Sequence, residues 1–205
     1  PDAKRYPVVK ASYPEAWSRT WTKDFAGCYV LNDNLIPDMI HTMLVAHEIY
    51  GEKEYLDSAL RAGDFIILAQ MPDPQPAWAQ QYDRDMHPAW DRAFEPPAIS
   101  AGESQTALDT LLMLYRETGE RRFLEPIPRA IAYLNKCRLP DRRLARFYEQ
   151  RTNRPLFFRR DKAGYHLTYE SDALPTHYAF IIQSRLVRIE REFRRIVTMT
   201  PAELK

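Results

Sequence analysis

Gly51–Leu56 reads GEKEYL, and Gly119–Leu124 reads GERRFL. The second hexamer lies 68 residues after the first, and the match continues at the same offset. Ala62 falls on Ala130, Ile66 on Leu134 and Ala69 on Cys137. A glycine that can take left-handed backbone angles closes a helix, and the charged and aromatic residues after it open the next. One antiparallel helical hairpin is therefore written twice.

The elements around the repeat follow the same logic. Asn32-Asp33-Asn34 can cap a helix by accepting from its free N–H groups, and Pro37 suits a first turn. Ile36, Ile40, Met43, Leu44 and His47 then recur at helical spacing up to Gly51. A second helix is predicted over about Glu52–Gln70 and a third over Ala101–Glu117. A fourth runs over about Arg121–Cys137, with Pro126 and Pro128 delaying or distorting its start. A last helix, about Tyr178–Val197, has an apolar stripe at Ile181, Ile182, Leu186, Ile189 and Phe193. Its arginine-rich opposite face reads as solvated and laced with intrahelical ion pairs. Short strands are predicted at Gly27–Leu31, Arg142–Tyr148, Leu156–Phe158 and Tyr165–Tyr169. The expected fold is mainly α, with repeated helical hairpins of an incomplete α/α toroid, long loops and a few short strands, in one domain over residues 1–205.

Bulk composition narrows the function. Lysine and arginine total 29 against 28 aspartates and glutamates, so net basicity does not hold a nucleic acid to this chain. The 45% apolar content supports a buried core. No apolar run reaches membrane-spanning length, and no basic-then-apolar leader precedes the first loop. Cys28 and Cys137 lack metal-binding spacing; they read as two buried thiols or as one disulfide. His41 and His47 do not share a helix face, which argues against a zinc site.

The hairpins are joined by a loop of about thirty residues, unusually long without a function. Within it, residues 76–97 read PAWAQQYDRDMHPAWDRAFEPP, with two Pro-Ala-Trp triplets, the second running straight into Asp91 and Arg92. From Pro88 the chain runs Pro-Ala-Trp-Asp-Arg-Ala-Phe-Glu-Pro-Pro-Ala-Ile-Ser-Ala-Gly-Glu-Ser to Ser104. This segment resembles the Trp-Ala-Arg-Ala-Tyr-Glu…Ser-Gly-x-Glu-Ser motif of the pectic acid lyases, polysaccharide lyase family 10. Trp78-Ala-Gln-Gln-Tyr-Asp83 is similar to the upstream Trp-Cys-Ala-Gln-His-Asp. Arg146-Phe-Tyr-Glu-Gln-Arg-Thr-Asn-Arg-Pro-Leu-Phe157 is similar to the downstream Arg-Phe-Tyr-Glu…Thr-Asn-Arg-Pro-Ile-Phe. Arg160-Asp161 matches an Arg-Asp-Gly stretch, with Lys162 replacing the glycine. The resemblance covers about residues 27–170.

The resemblance implies a pectate lyase that cleaves polygalacturonate by calcium-assisted β-elimination, secreted or periplasmic. It places the base on Arg92, although arginine ordinarily stays protonated and the residue by itself reads as substrate-binding. Asp33 matches a calcium-binding acidic turn that has lost one charge at Asn34. Arg154 and Arg160 are implied to hold substrate carboxylates by paired hydrogen bonds. Trp78 and Trp90 could stack on sugar rings, and Gln81 could bond to hydroxyls.

Simpler roles stand beside these. Asp33 could be a helix cap, Arg154 and Arg160 surface ion-pair partners, and the two tryptophans core packing. Glu103, in a helix's first turn, reads as structural. The helical hairpin that the family has before its Asn-Asp turn has no recognisable match in residues 1–31, and its Glu-Arg-Arg segment is replaced by Ser171-Asp-Ala-Leu-Pro. The chain therefore reads as the later part of a catalytic domain or a shortened homologue, with uncovered helix faces that invite a homo-oligomer. Two other functions compete: an inverting glycoside hydrolase using carboxylates such as Asp33 and Glu103, and a non-catalytic binder of acidic polysaccharide or scaffold.

Overall fold

Strand β1 (Tyr29–Val30) leads through a 3-10 turn at Asn32–Asn34 into helix α1 (Leu35–Tyr50), which folds back as α2 (Lys53–Leu68). The long connection supplies β2 (Gln81–Tyr82) and β3 (Ile99–Ser100). Helix α3 (Ala101–Thr118) then turns through a 3-10 segment, Arg121–Leu124, into α4 (Ile127–Lys136). After it come β4 (Leu144–Ala145), β5 (Phe147–Tyr148), β6 (Pro155–Asp161), β7 (Gly164–Thr168) and β8 (Ile181–Ile182), and last α5 (Leu186–Ile196). This is a computed structural model; it describes residues 9–23, 27–200 and 203–204, so part of the expected N-terminal loop lies outside the described residues.

Both hairpins are present, and their turns match. Gly51 and Gly119 each have φ +71°, and each donates its N–H four residues back, to His47 and Tyr115 at 2.8 and 2.7 Å. Ile66 and Leu134, equivalent in the repeat, are both fully buried. The hairpins meet at Gly63, where a Cβ would sit 2.6 Å from Leu114 and from the Phe123 ring, so no side chain fits between them.

The expectation of a mainly α toroid does not hold. The described residues are 41% helical and 13% strand, with several antiparallel sheets, which makes the fold mixed α and β. The cause lies in the connections. Much of their backbone is buried, and buried N–H and C=O groups must be paired. Short strands do this on either side of each hairpin: β1 pairs with β2 around the first, and β3 with β5 around the second. The ladder β3-β5-β6-β7 completes a four-stranded antiparallel sheet, and β4 pairs with β8.

A tyrosine locks each hairpin's exit. Tyr82 donates its hydroxyl to the carbonyl of Ala69 at 2.6 Å and accepts the N–H of Ala79. Tyr148 does the same with Cys137 at 2.6 Å and Ala145. The repeat is thus strand, hairpin, tyrosine lock, strand.

Three expected helix boundaries differ. The Asn32-Asp33-Asn34 side chains make no cap to α1, which is entered through two left-handed residues, Asp33 at φ 55° and Asn34 at φ 58°. Pro126 and Pro128 split the expected fourth helix into the 3-10 segment and α4. Helix α5 starts at Leu186, because Ile181 and Ile182 pair with β4 instead.

Candidate functional site

The repeat brings two carboxylates to equivalent places. Leu31 and Ala101 each donate an N–H to the carbonyl of the residue just before β2 and β5, Gln80 and Arg146, both at 2.8 Å. Two residues further on stand Asp33 and Glu103. Both line a cleft of about 410 Å³, together with Arg92, Arg146, Tyr178 and Arg185.

Arg92 reaches Asp33 with Nη2 at 3.2 Å. Its other side is held by Glu95, whose carboxylate is fully buried: Oε2 accepts from Nε at 2.6 Å and from the backbone N–H at 3.1 Å. That hydrogen bond, ahead of its charge attraction and that of Asp33, pushes the guanidinium's proton affinity further up. The other oxygen of Glu95 accepts the hydroxyl of Tyr178 at 2.7 Å. Burial first, then Glu95, pushes the Tyr178 phenol up.

Arg146 forms the opposite wall. Its guanidinium stacks 4.6 Å from the Tyr178 ring centroid, donates Nε to the carbonyl of Ala179 at 2.8 Å and stands 3.8 Å from Glu103. Glu103 also accepts the hydroxyl of Ser100. Burial raises its pKa; Ser100 and Arg146 oppose the shift. Three arginines and two carboxylates thus edge one concavity, an arrangement suited to an anionic ligand.

The structure brings together only part of the sequence-derived set. Asp33 and Arg92 meet in the cleft, but neither Arg154 nor Arg160 lines it. Arg160 is linked to Arg92 through two rings: it lies 5.3 Å from the Tyr165 centroid, Tyr165 lies 5.1 Å from Phe94, and Arg92 lies 5.8 Å from Phe94. Arg154 stands at the far end of the β6–β7 hairpin, stacked 3.4 Å from Tyr169.

Trp78, Trp90 and Gln81 do not line that cleft. Trp78 is fully buried and donates Nε1–H to the carbonyl of Ile66 at 2.7 Å, between α2 and the loop. Trp90 is 8% exposed and donates to the carbonyl of Ser18. Gln81 is buried in β2 and donates to the carbonyl of Trp90. All three hold the loop in place.

Sequence reasoning missed Glu95, Arg146, Tyr178 and Arg185 as site residues, and read Glu103 as structural except in the competing hydrolase. A signal existed for Arg146: Ala79-Gln-Gln-Tyr82 and Ala145-Arg-Phe-Tyr148 share Ala-x-x-Tyr, so Arg146 occupies the place of Gln80 in the second repeat.

The residues around Asp33 do not fit a self-contained calcium site. Calcium takes six to eight oxygens. Asp33 offers one exposed carboxylate already shared with Arg92, and the amide of Asn32 is used at both ends, by Asp33 N–H and by Asp91. A group with metal-ligand spacing lies elsewhere: ligand atoms of Asp83, Asp85 and His87 fall within 4.8 Å of one another. Cys28 and Cys137 are not joined in a disulfide, and no helix among the described residues is long and apolar enough to cross a membrane.

No family model and no curated protein sequence matches this chain. Among solved structures it is similar to a mutant family 10 polysaccharide lyase from Cellvibrio cellulosa in complex with trigalacturonic acid. The identity is 17% and the TM-score 0.67, over 86% of this chain and 65% of that one. This likeness shows a shared fold. A cellobiose 2-epimerase from Spirochaeta thermophila matches with a TM-score of 0.47 and 16% identity, over 60% of this chain and 31% of that one, too distant to carry an argument. The chain spans 65% of the length of the solved lyase.

Proposed function

We propose that this chain carries the substrate cleft of a polysaccharide lyase acting on a polyuronide of the polygalacturonate type. The observation that carries this reading is the convergence of Arg92 and Asp33 with Arg146 and Arg185 on one cleft. In β-elimination a cation neutralises the uronate carboxylate and so acidifies the proton on the adjacent carbon. A base takes that proton, its electron pair becomes a ring double bond, and the glycosidic oxygen leaves with the bonding pair and gains a proton.

In this reading Arg146 and Arg185 hold carboxylates, and Arg92 faces the proton to be removed. Arg92 must first lose its own proton, which Glu95 opposes. Turnover therefore rises with pH as that proton is lost. Calcium would need oxygens from the substrate itself, so no step is assigned to it.

One observation favours a second reading, binding without turnover. The Glu95 contact keeps Arg92 a guanidinium, which is the form that grips a carboxylate. Incubation with polygalacturonate at alkaline pH separates the two. The lyase reading expects rising absorbance from unsaturated uronide ends. Saturable binding with no such rise establishes the second reading and removes the first. New reducing ends without the chromophore would indicate hydrolysis instead.

A further inference from the structure

Seven large hydrophobic residues are exposed among the described ones, and five of them stand on α1: Leu35, Met39, Val45, Ile49 and Tyr50. At about 100° per residue these five fall, with Thr42 and Ala46, inside one arc of about 140°. Met39 is 47% exposed and Ile49 67%, while Ile40 on the opposite side of the helix is fully buried. Apolar residues scattered singly on a surface need no partner, but a continuous stripe along one helix marks an interface.

The repeat shows the same face in its covered form. At the offset of 68, Met39, Thr42 and Ala46 fall on Ala107, Thr110 and Leu114 of α3, and all three of these are buried. Leu114 packs into the space left by Gly63 of α2, so the first hairpin covers α3. On α1 the matching Met39 and Thr42 stay exposed.

We infer that this face of α1 pairs two copies of the chain, antiparallel, about a two-fold axis at Thr42. The stripe is self-complementary in that register: Leu35 comes opposite Ile49 of the other copy, and Met39 opposite Val45. Asp38 is the one charge within the arc. The antiparallel pair sets it opposite Ala46, next to His47, with no like charge facing it. A parallel pair would set the two Asp38 carboxylates side by side. Nor can a second copy continue the repeat head to tail, because the α2 face that covers α3 is already filled at Gly63 by Leu114 and Phe123. The contact therefore closes at two.

Its strength follows from its size. The 16 residues of α1 span about 24 Å. One helix face of that length falls short of the roughly 800 Å² per partner of a standard stable interface, so the dimer dissociates on dilution.

Sedimentation equilibrium of the full chain, from about 1 µM to about 500 µM, tests the inference. The mass should rise with concentration from one chain toward two. Met39→Glu and Ile49→Glu, both at exposed positions, should each hold the protein at one chain with an unchanged urea midpoint. Thr42→Cys should oxidise to a covalent dimer, seen as a peptide joined 42 to 42. A one-chain mass at every concentration, a dimer that survives both glutamate variants, growth past two chains, or no 42-to-42 cross-link overturns it.

Discussion

Oε2 of Glu95 accepts from two nitrogens of Arg92 at once, the backbone N–H and Nε. The contact fixes the guanidinium edge-on, leaving Nη2 to reach Asp33. It also secures the proton, because hydrogen bonding to a charged form favours that form. If the chain is a lyase, Glu95→Gln removes the strongest hold on that proton. The rate-against-pH curve should move to lower pH. A residue that only supports the fold would lower the rate without moving the curve.

Replacing Trp78 tests which of its two roles holds. Its ring is fully buried and its indole N–H satisfies Ile66. Trp78→Ala should cost about 3–5 kcal/mol of stability, seen in the urea midpoint. Uronide affinity of the folded fraction should stay at the wild-type value. A selective loss of affinity at unchanged stability would restore the sugar-platform role.

The thiols should differ in reactivity. Burial pushes the Cys137 thiol up and leaves it 5% exposed. Cys28 is partly exposed and lines a separate cavity of about 570 Å³. Iodoacetamide should label Cys28 in the native protein and Cys137 only after unfolding, read by peptide mass spectrometry. A mass deficit from a Cys28–Cys137 disulfide would contradict the structure.

Alkaline stability should be limited by tyrosines. Burial pushes Tyr13 up to about 12 from 10.0, and also raises Tyr82, Tyr133 and Tyr148. Between 10.0 and about 12 the native protein keeps a proton on Tyr13 that the unfolded chain has lost. Stability is intact below that window and falls as pH rises through it. Tyr13→Phe should flatten the fall, measured as urea midpoints across the window. An unchanged slope would mean that Tyr13 titrates normally.

The helices were legible because their signals are local. The Gly51 and Gly119 stops, the apolar spacing of α3 and the proline break before α4 act within a few residues of themselves. The strands were less so. Gln81–Tyr82 and Ile99–Ser100 are two residues long, and their partners lie 51 to 53 and 47 to 49 positions away along the chain. No pattern within such a segment encodes a partner that distant. The site followed the same rule. Arg92 stood out because it directly follows the second Pro-Ala-Trp triplet of a long loop, with only Asp91 between. Glu95 and Tyr178 matter only because the fold brings positions 83 residues apart into contact. The tryptophans stayed open between two roles because an aromatic ring in a loop has the same local signature whether it packs inward or faces solvent.

A crystal structure of the protein soaked with trigalacturonate tests the central claim most directly. The account predicts a uronate carboxylate in the cleft edged by Asp33, Arg92 and Arg146, with an oxygen within about 3.2 Å of an arginine nitrogen. Sugar bound against another face, with that cleft vacant at saturating ligand, would contradict it.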